Sequence, residues 1–341
     1  MNSTQHSARS TPSRILIVGP AWIGDMVMAQ SLLITLKQRF PDSEIDVLAP
    51  AWSKPVLARM LEVNTSIIMP LGHGEFGFGA RRRLGHLLSG RYHQAIILPR
   101  SWKSALVPFF AGVPKRTGYR AEWRYGLIND MRRLDKSILT QTVQRFVTLG
   151  FERDAPLPPS PIPKPQLRVD VENQRALLNN LALNTASPIV ALMPGAEGPG
   201  KRWPVERYAE LAKKLLASGK QVWVFGSVKE QSLGEAVTEI AGTRIVNLCG
   251  STRLEDVVDL LALAETAVTN DSGLMHIAAA VGIKLVAIYG SSSPDYTPPL
   301  TDKAEILYSR IERDHGSKHE RPQEQINCME QITVDEVFQR V

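Results

Sequence analysis

The chain passes twice through the same alternation of short apolar strands and longer helices. The first series has predicted strands at residues 14–18, 44–48, 66–69 and 94–98. The second has predicted strands at residues 189–193, 221–225, 245–248, 266–269 and 285–289. Strands that alternate with helices favour a parallel sheet covered by helices on both faces. With 341 residues the chain is long enough for two such units. We therefore expect an α/β protein made of two doubly wound, Rossmann-like domains.

A proline-rich segment separates the two series. Six prolines fall between residues 156 and 165, a composition typical of a semi-rigid, extended linker. The predicted organisation is a disordered tail at 1–13, an N-terminal domain at 14–155, the linker at 156–170, a C-terminal domain at 171–330 and a last helix at 331–341.

The composition favours a cytoplasmic protein without a metal. No apolar run reaches the length of a membrane span, and the polar tail lacks the apolar core of a signal peptide. The two cysteines, Cys249 and Cys328, are far apart, which argues against a disulfide framework or a cysteine zinc site. The seven histidines show no metal-binding spacing. We expect no metal and no cofactor.

Positive charge is concentrated in one part of the first series. Between residues 81 and 136 there are thirteen Lys or Arg and three acids, a local charge of +10, whereas the whole chain carries +6. The rest of the chain is therefore at −4. A cluster of this kind indicates an anionic partner, either a nucleic acid, an anionic membrane surface or a phosphorylated substrate.

The loop at 19–25 follows the first strand. In doubly wound sheets, ligands bind at the carboxyl ends of strands. This loop has the glycine spacing of a P-loop, but Asp25 stands where the phosphate-binding lysine would be, so a Walker motif is rejected. The chain also lacks a GxGxxG fingerprint, which disfavours an NAD-dependent oxidoreductase. Asp25 is either an N-cap of the following helix or a general base.

Two loops of the second series carry further candidates. The loop at 194–204 places Lys201 and Arg202 after a glycine-rich turn, where both could meet phosphate oxygens. The loop at 225–227, with Gly226 and Ser227, ends a strand where a base or ribose commonly sits. A solvated pair of cations is the alternative for the first loop.

The third loop of the second series, residues 269–276, predicts a strand, a tight turn and a helix start. Backbone N–H groups in the first turn of a helix are free to bind an anion. The residues placed there are Asp271, Ser272, Gly273, Leu274 and His276. An ordinary helix cap with a packed histidine is the alternative. Taken with the cations at 201–202, this loop makes the second domain the candidate diphosphate-binding half, the layout of a GT-B sugar transferase.

The motifs of the chain resemble those of the lipopolysaccharide heptosyltransferases of glycosyltransferase family nine, which have the GT-B fold. The resemblance extends from about residue 14 to residue 300. It rests on the segments GPAWIGDM at 19–26, PLGHG at 70–74, KSALVPFFAG at 103–112, RYGL at 124–127, KRWP at 201–204, VTNDSGLMH at 268–276 and YGSSSPD at 289–295.

The resemblance implies an inverting, metal-independent transfer of L-glycero-D-manno-heptose from ADP-heptose. The family's general base falls on Asp25 and its phosphate-binding lysine on Lys201. Its pyrophosphate-binding helix start falls on Ser272, Gly273, Leu274 and His276, and Asp271 would hold sugar hydroxyls. Gly226 and Ser227 remain the candidates for the nucleotide.

The implied acceptor is the first heptose of the inner core on a lipid A–Kdo–heptose carrier. We expect Lys103, Arg120 and Arg124 to contact it, and we expect a monomer in peripheral contact with the anionic inner membrane, without nucleic acid. The alternatives are the first or third heptose-adding step, which share this chemistry, a GT-B nucleotide-sugar epimerase or hydrolase, or a non-catalytic binder of nucleotides or nucleic acid.

Overall fold

The computed structural model describes residues 13–72, 74–198, 200–309 and 329–341, so the predicted tail lies almost wholly outside the described residues, as does Cys328. The first half forms a parallel sheet of six strands in the order β3-β2-β1-β4-β5-β6. Its strands are β1 Arg14–Val18, β2 Glu44–Pro50, β3 Thr65–Met69, β4 Gln94–Ile97, β5 Lys115–Tyr119 and β6 Asp130–Arg132. Its helices are α1 Ile23–Arg39, α2 Lys54–Leu57, α3 Phe78–Leu87, α4 Leu106–Phe110 and α5 Thr142–Thr148.

The second half forms another six-stranded parallel sheet, in the order β12-β11-β10-β7-β8-β9. Its strands are β7 Ile189–Met193, β8 Gln221–Val224, β9 Val246–Asn247, β10 Thr266–Asn270, β11 Lys284–Tyr289 and β12 Ala304–Tyr308. Its helices are α6 Val171–Asn180, α7 Val205–Ala217, α8 Gln231–Ala241, α9 Leu254–Leu261, α10 Gly273–Val281 and α11 Val334–Phe338. The expected α/β fold of two doubly wound parallel sheets is confirmed.

Both sheets have the strand order of a dinucleotide-binding fold, and this order positions the site. In the first sheet β1 pairs with both β2 and β4, and in the second β7 pairs with both β8 and β10. The strand order therefore reverses direction beside β1 and beside β7, and doubly wound sheets bind ligands in the crevice at such a point. The loop after β1 leads to Asp25 in the first turn of α1, and the loops after β7 and β10 carry Lys201 and Asp271.

Three strands were not predicted from the sequence. β5 contains Lys115, Arg116 and Gly118 in place of an apolar run, and β6 has three residues at the sheet edge. β12 is an edge strand of the second sheet, and its residues Glu305 and Ile306 are exposed. Strands with polar residues, such as the internal β5 and the edge strands β6 and β12, lack the apolar pattern by which buried parallel strands are recognised.

The two halves meet along α1 and α10, and the end of the proline-rich segment is bonded to both. The Leu167 N–H donates to the Ala280 carbonyl of α10 (3.1 Å). The Gln30 amide on α1 donates to the Gln166 carbonyl (2.7 Å) and accepts the Gln166 N–H (3.0 Å). The buried Arg59 of the first half forms an ion pair with Asp259 on α9 (2.5 Å). These contacts join the two halves.

Within the described part of the chain, none of the helices has both the length and the apolar character needed to cross a membrane.

Candidate active site

A cavity of about 530 Å³ lies between the carboxyl ends of the two sheets. Nine residues predicted from the sequence contribute to its lining. They are Asp25 from the first half and Lys201, Gly226, Ser227, Asp271, Ser272, Gly273, Leu274 and His276 from the second. The structure therefore brings the candidate base and the candidate donor-binding residues together around one space.

Asp25 belongs to the first turn of α1, which begins just after β1. Its side chain does not cap the helix: the N-cap position is Trp22, with no side-chain capping bond. The pKa of Asp25 is raised to about 6, chiefly by burial and secondly by the negative charge of Asp271, while Lys201 opposes the rise. A carboxylate with a pKa near 6 is still mostly ionised at pH 7 and accepts a proton more readily than an ordinary aspartate.

Lys201 and Asp271 form the main ion pair of the cavity. The Lys201 Nζ lies 2.7 Å from a carboxylate oxygen of Asp271. Asp271 is buried, whereas Lys201 keeps 30% of its side chain exposed toward the cavity. Arg202, the second predicted cation, does not line the cavity, because its Nε donates to the Ala196 carbonyl (2.7 Å) within its own loop.

The Lys201 loop is fixed to β10 by Asn270, a residue of the predicted 269–276 loop to which the sequence assigned no role. Asn270 is fully buried, accepts the Trp203 N–H (3.0 Å) and donates to the Pro194 carbonyl (2.8 Å). The Trp203 indole is also buried and donates to the Ile332 carbonyl (2.9 Å) near the end of the chain. These bonds span the whole loop from 194 to 203, so they hold Lys201 in place.

The first turn of α10 faces the cavity without a cap. Ser272 occupies the N-cap position, yet its hydroxyl makes no capping bond and is buried with no hydrogen-bond partner among the described residues. Free N–H groups and the positive end of the helix dipole attract anions. This helix start therefore offers a binding place for a phosphate group.

Two glycines allow the starts of α1 and α10 to approach closely. A Cβ atom on Gly24 would lie 2.7 Å from the Cδ2 atom of His276, and one on Gly273 would lie 3.2 Å from the Cβ atom of Ile23. His276 is buried, and burial lowers its pKa further than the charge of Asp271 raises it. The imidazole is thus neutral at pH 7 and can donate one hydrogen bond into the cavity.

Glu230 is a further acid in the cavity lining, and it was not predicted from the sequence. Its carboxylate accepts the Ser227 N–H (2.7 Å) and the Ser227 hydroxyl, and it lies against Gly195 and Gly226. A side chain on either glycine would collide with Glu230. The S-x-x-E spacing from Ser227 to Glu230 was the available signal, but it indicates a capping box as readily as a ligand.

Lys103 and Arg120 lie at two other cavities of the first half. Lys103 lines a space of about 250 Å³ that also touches Gly19 and Ala21, the opposite end of the loop that carries Asp25. Its Nζ donates to the Gly74 carbonyl (2.9 Å). Arg120 lines a separate space of about 270 Å³, together with Arg133.

The prediction that Arg124 contacts the acceptor does not agree with the structure. It is fully buried, and its guanidinium donates to the carbonyls of Tyr119 (3.1 Å) and Pro99 (2.8 Å). Burial lowers its pKa to about 10. Arg81 and Arg132 are buried as well, so part of the basic cluster supports the fold instead of facing an anionic partner.

Among the described residues, no group of three or more His, Cys, Asp or Glu side chains is placed to hold a metal ion.

The chain is similar to known proteins over most of its length. The family model described as glycosyltransferase family 9 (heptosyltransferase) matches residues 81–327. Lipopolysaccharide heptosyltransferase 2 of Escherichia coli K12 is 50% identical over 304 residues, which cover 86% of this chain and 87% of the relative. Lipooligosaccharide heptosyltransferase 2 of Haemophilus influenzae is 48% identical over 305 residues, or 86% and 88% of the two chains.

The solved structure of E. coli ADP-heptose LPS heptosyltransferase II has the same architecture. It superposes with a TM-score of 0.84 at 44% identity and covers 96% of this chain and 97% of that one. The agreement over nearly the whole length confirms the expected GT-B arrangement of the two sheets. The family match covers well over half of the chain, and the identities far exceed 30%. The protein is an enzyme, a glycosyltransferase, and it belongs to glycosyltransferase family 9, the heptosyltransferase family.

Proposed function

We propose that the protein transfers L-glycero-D-manno-heptose from ADP-heptose to the first heptose of the lipopolysaccharide inner core, the heptosyltransferase II step. Four relatives named heptosyltransferase 2 are 45–50% identical to the chain over most of its length. E. coli lipopolysaccharide heptosyltransferase 3 is 23% identical, and heptosyltransferase 1 is 29% identical over 38% of this chain. The difference in identity supports the second step over the third and the first.

One observation carries the chemical part of the proposal. Asp25, the only acid that the first half contributes to the described lining of the large cavity, faces the Lys201–Asp271 pair and the start of α10 from the second half. A base on one domain and an anion-binding set on the other are what a transfer between two separately held substrates requires.

In the proposed reaction, the second half holds the donor. The ADP diphosphate would bind to Lys201 and to the N–H groups after Asp271, and His276 would donate from the same helix. Lys201 would leave its bond to Asp271 in part, and the freed carboxylate oxygens would accept hydrogen bonds from heptose hydroxyls. Glu230 and Gly226 lie at the end of the cavity that suits the ribose, because a carboxylate accepts bonds from both hydroxyls of a diol.

Asp25 would then act as general base. It takes the proton of the acceptor hydroxyl while that oxygen forms a bond to the anomeric carbon from the face opposite ADP. The bond from the anomeric carbon to the phosphate oxygen breaks, and its electron pair leaves with ADP, so the configuration inverts. Lys201 and the first turn of α10 stabilise the growing negative charge of the leaving diphosphate, so the proposal requires no metal.

The cavity beside Lys103 is the proposed acceptor site. It borders Gly19 and Ala21, whereas the large cavity borders Gly24 and Asp25, so one loop connects the two spaces. An acceptor seated there would reach the base from the first half. Arg120, exposed near Arg133, is a proposed contact for an acidic part of a longer acceptor.

We propose that the protein acts at the cytoplasmic face of the inner membrane, because its proposed acceptor is a glycolipid held in that membrane. We also propose that it acts as a monomer. The test is an ADP-release assay with ADP-heptose and lipopolysaccharide truncated after its first heptose. We expect ADP release and addition of one heptose. No ADP release above the acceptor-free background would overturn the transferase proposal. Faster turnover on heptose-free or more extended acceptors would assign the first or third step instead.

A further inference from the structure

A row of exposed aromatic rings runs along the first half beside the proposed acceptor cavity. We call it the aromatic ladder, made of Trp102, Phe76, Phe78, Phe110 and Phe109. Neighbouring ring centroids are 4.9 Å apart for Trp102–Phe76, 6.0 Å for Phe76–Phe78, 5.5 Å for Phe78–Phe110 and 5.5 Å for Phe109–Phe110. Four of the rings are strongly exposed: Phe76 43%, Phe78 45%, Trp102 38% and Phe109 41%.

Exposure of this kind distinguishes the ladder from the core. Single apolar residues on a surface need no explanation, but a contiguous apolar patch usually marks an interaction site. Burying these rings against a partner would be favourable in proportion to the apolar area removed from water.

Unpaired cations accompany the ladder. Arg82 and Arg83 are exposed on α3 and have no hydrogen-bond or ion-pair partner among the described residues. The guanidinium of Arg116, which is bonded to the Leu127 carbonyl (2.7 Å), lies 5.7 Å from the ring centroid of Phe109. The nearby acids are Glu75 and Glu122, and Glu122 accepts the Trp102 backbone N–H (2.6 Å). Aromatic rings with surplus cations match a bilayer whose headgroups are anionic.

The ladder is continuous with the cavity beside Lys103. Glu75 and Lys103 line that cavity, and Phe76 and Trp102 are their direct neighbours in sequence. A bilayer seated on the ladder would therefore present the sugar end of a membrane lipid to the cavity. Because the cavity also borders Gly19 and Ala21, the lipid's sugar would approach the loop that holds Asp25.

We propose that the aromatic ladder, with Arg82 and Arg83, is the surface by which the protein docks on an anionic phospholipid bilayer. The rings enter the headgroup region and the two arginines bind lipid phosphates. This inference rests on the proposed function in one respect only, that the acceptor is held in a membrane. Docking then delivers the acceptor to its cavity.

The experiment measures co-sedimentation of the full chain with vesicles that contain no acceptor. One set consists of phosphatidylglycerol and phosphatidylcholine in equal parts, and the other of phosphatidylcholine alone. We expect binding to the anionic vesicles and much weaker binding to the neutral ones. R82Q/R83Q should lower partitioning to anionic vesicles about 25-fold, because each basic residue contributes about fivefold at such a surface. F76S/F78S should lower it about tenfold.

Matched controls come from the second half. K213Q/R244Q removes two exposed cations. I240S/I306S removes two apolar side chains, each of which is 41% exposed. Both controls should bind vesicles as the unchanged protein does. Thermal unfolding of every variant checks folding. If F76S/F78S does not fold, R82Q/R83Q still tests the proposal, because the side chains of Arg82 and Arg83 have no hydrogen-bond or ion-pair partner among the described residues.

Several results would overturn the proposal. These are no binding of the unchanged protein to anionic vesicles, equal losses in the control variants, or a dimer that F76S/F78S dissociates, since the last would make the ladder an interface between copies.

A second measurement separates docking from catalysis. Turnover on an acceptor stripped of its acyl chains should stay within about twofold in both ladder variants, and an equal loss on that acceptor would place the ladder in the acceptor site. Absence of ADP release with any acceptor, alongside vesicle binding, would overturn the proposed function alone.

Discussion

The Lys201 Nζ lies 2.7 Å from the Asp271 carboxylate, and the two residues follow β7 and β10, the strands at which the order of the second sheet reverses. Lys201 is the more exposed partner, so it is free to turn toward an incoming diphosphate. Asp271 is buried and needs a replacement partner when that happens. This ion pair therefore couples donor binding to the orientation of a carboxylate in the cavity.

Lys201→Ala is expected to weaken ADP binding about 10- to 100-fold, the usual loss for a hydrogen bond to a charged group. Isothermal titration with ADP measures it, and Lys213→Ala, another exposed lysine of the second half, is the control. The variant should also unfold at lower temperature, because Asp271 is left buried without its partner. K201A/D271N should recover that stability but not ADP affinity. Unchanged ADP affinity in Lys201→Ala would remove Lys201 from the donor site.

The pH dependence of turnover should follow the ionisation of the Asp25 carboxyl group. Its pKa of about 6 predicts that kcat/KM is full above pH 7 and falls tenfold per pH unit below about pH 6, as the base becomes protonated. Asp271→Asn should move this limb to lower pH, because it removes a negative charge that raises the pKa of Asp25. Lys201→Ala should move it to higher pH. A limb that does not respond to either change would belong to another group.

Asp25 should also lower the stability of the protein at neutral pH. Its pKa in the folded state, about 6, exceeds the ordinary value of 3.8, so folding disfavours the ionised form. Stability is thus lost as the pH rises from about 4 to 6, and the loss is at most about 3 kcal/mol. Asp25→Asn is expected to raise the unfolding temperature at pH 7 and to change it much less at pH 4. Equal effects at both pH values would contradict the burial-driven shift.

Asn270→Ala should loosen the Lys201 loop. The change leaves the Trp203 N–H and the Pro194 carbonyl without their buried partner, which costs about 2–4 kcal/mol in the free energy of unfolding. Urea unfolding measures that loss. Because the loop positions Lys201, the KM for ADP-heptose should rise more than kcat falls. Asn184→Ala, whose side chain bonds only within an exposed turn, is the control and should leave both values unchanged. A loss of stability with an unchanged KM would show that the loop does not depend on Asn270.

Gly24→Ala is expected to separate the starts of α1 and α10, since its Cβ atom would lie 2.7 Å from the His276 ring. The variant should lose stability and turnover together. Gly79→Ala is a matched control, because there the nearest atom is the end of the Arg83 side chain at 3.4 Å. A Gly24→Ala enzyme with full activity would contradict the close approach of the two helices.

Much of the fold was predictable because buried parallel strands leave continuous apolar runs, as in Ile15 to Val18 and Val190 to Met193. The carboxyl-end rule then located Asp25, Lys201 and the start of α10. The sequence could not show which charges of the basic stretch are internal. Arg124 binds backbone carbonyls of the chain itself, and no local pattern separates such an arginine from an exposed one like Arg120.

The roles of the supporting residues Asn270 and Glu230 also could not be predicted from the sequence. Asn270 acts through the amide of Trp203 and the carbonyl of Pro194, which are 67 and 76 positions away in the chain. Glu230 enters the cavity only because Gly195 and Gly226 leave room for it. Such contacts depend on how the loops after β7, β8 and β10 meet in space. Local spacing carries no information about that meeting.

The most direct test of the account is Asp25→Asn, measured for turnover and for ADP affinity in the same preparation. Turnover of ADP-heptose with truncated lipopolysaccharide should fall by about 10²- to 10⁴-fold, the range expected for loss of a general base. The dissociation constant for ADP should stay within about threefold, because the donor is held by the other half of the protein. An Asp25→Asn enzyme that keeps most of its turnover would contradict the assignment of the base.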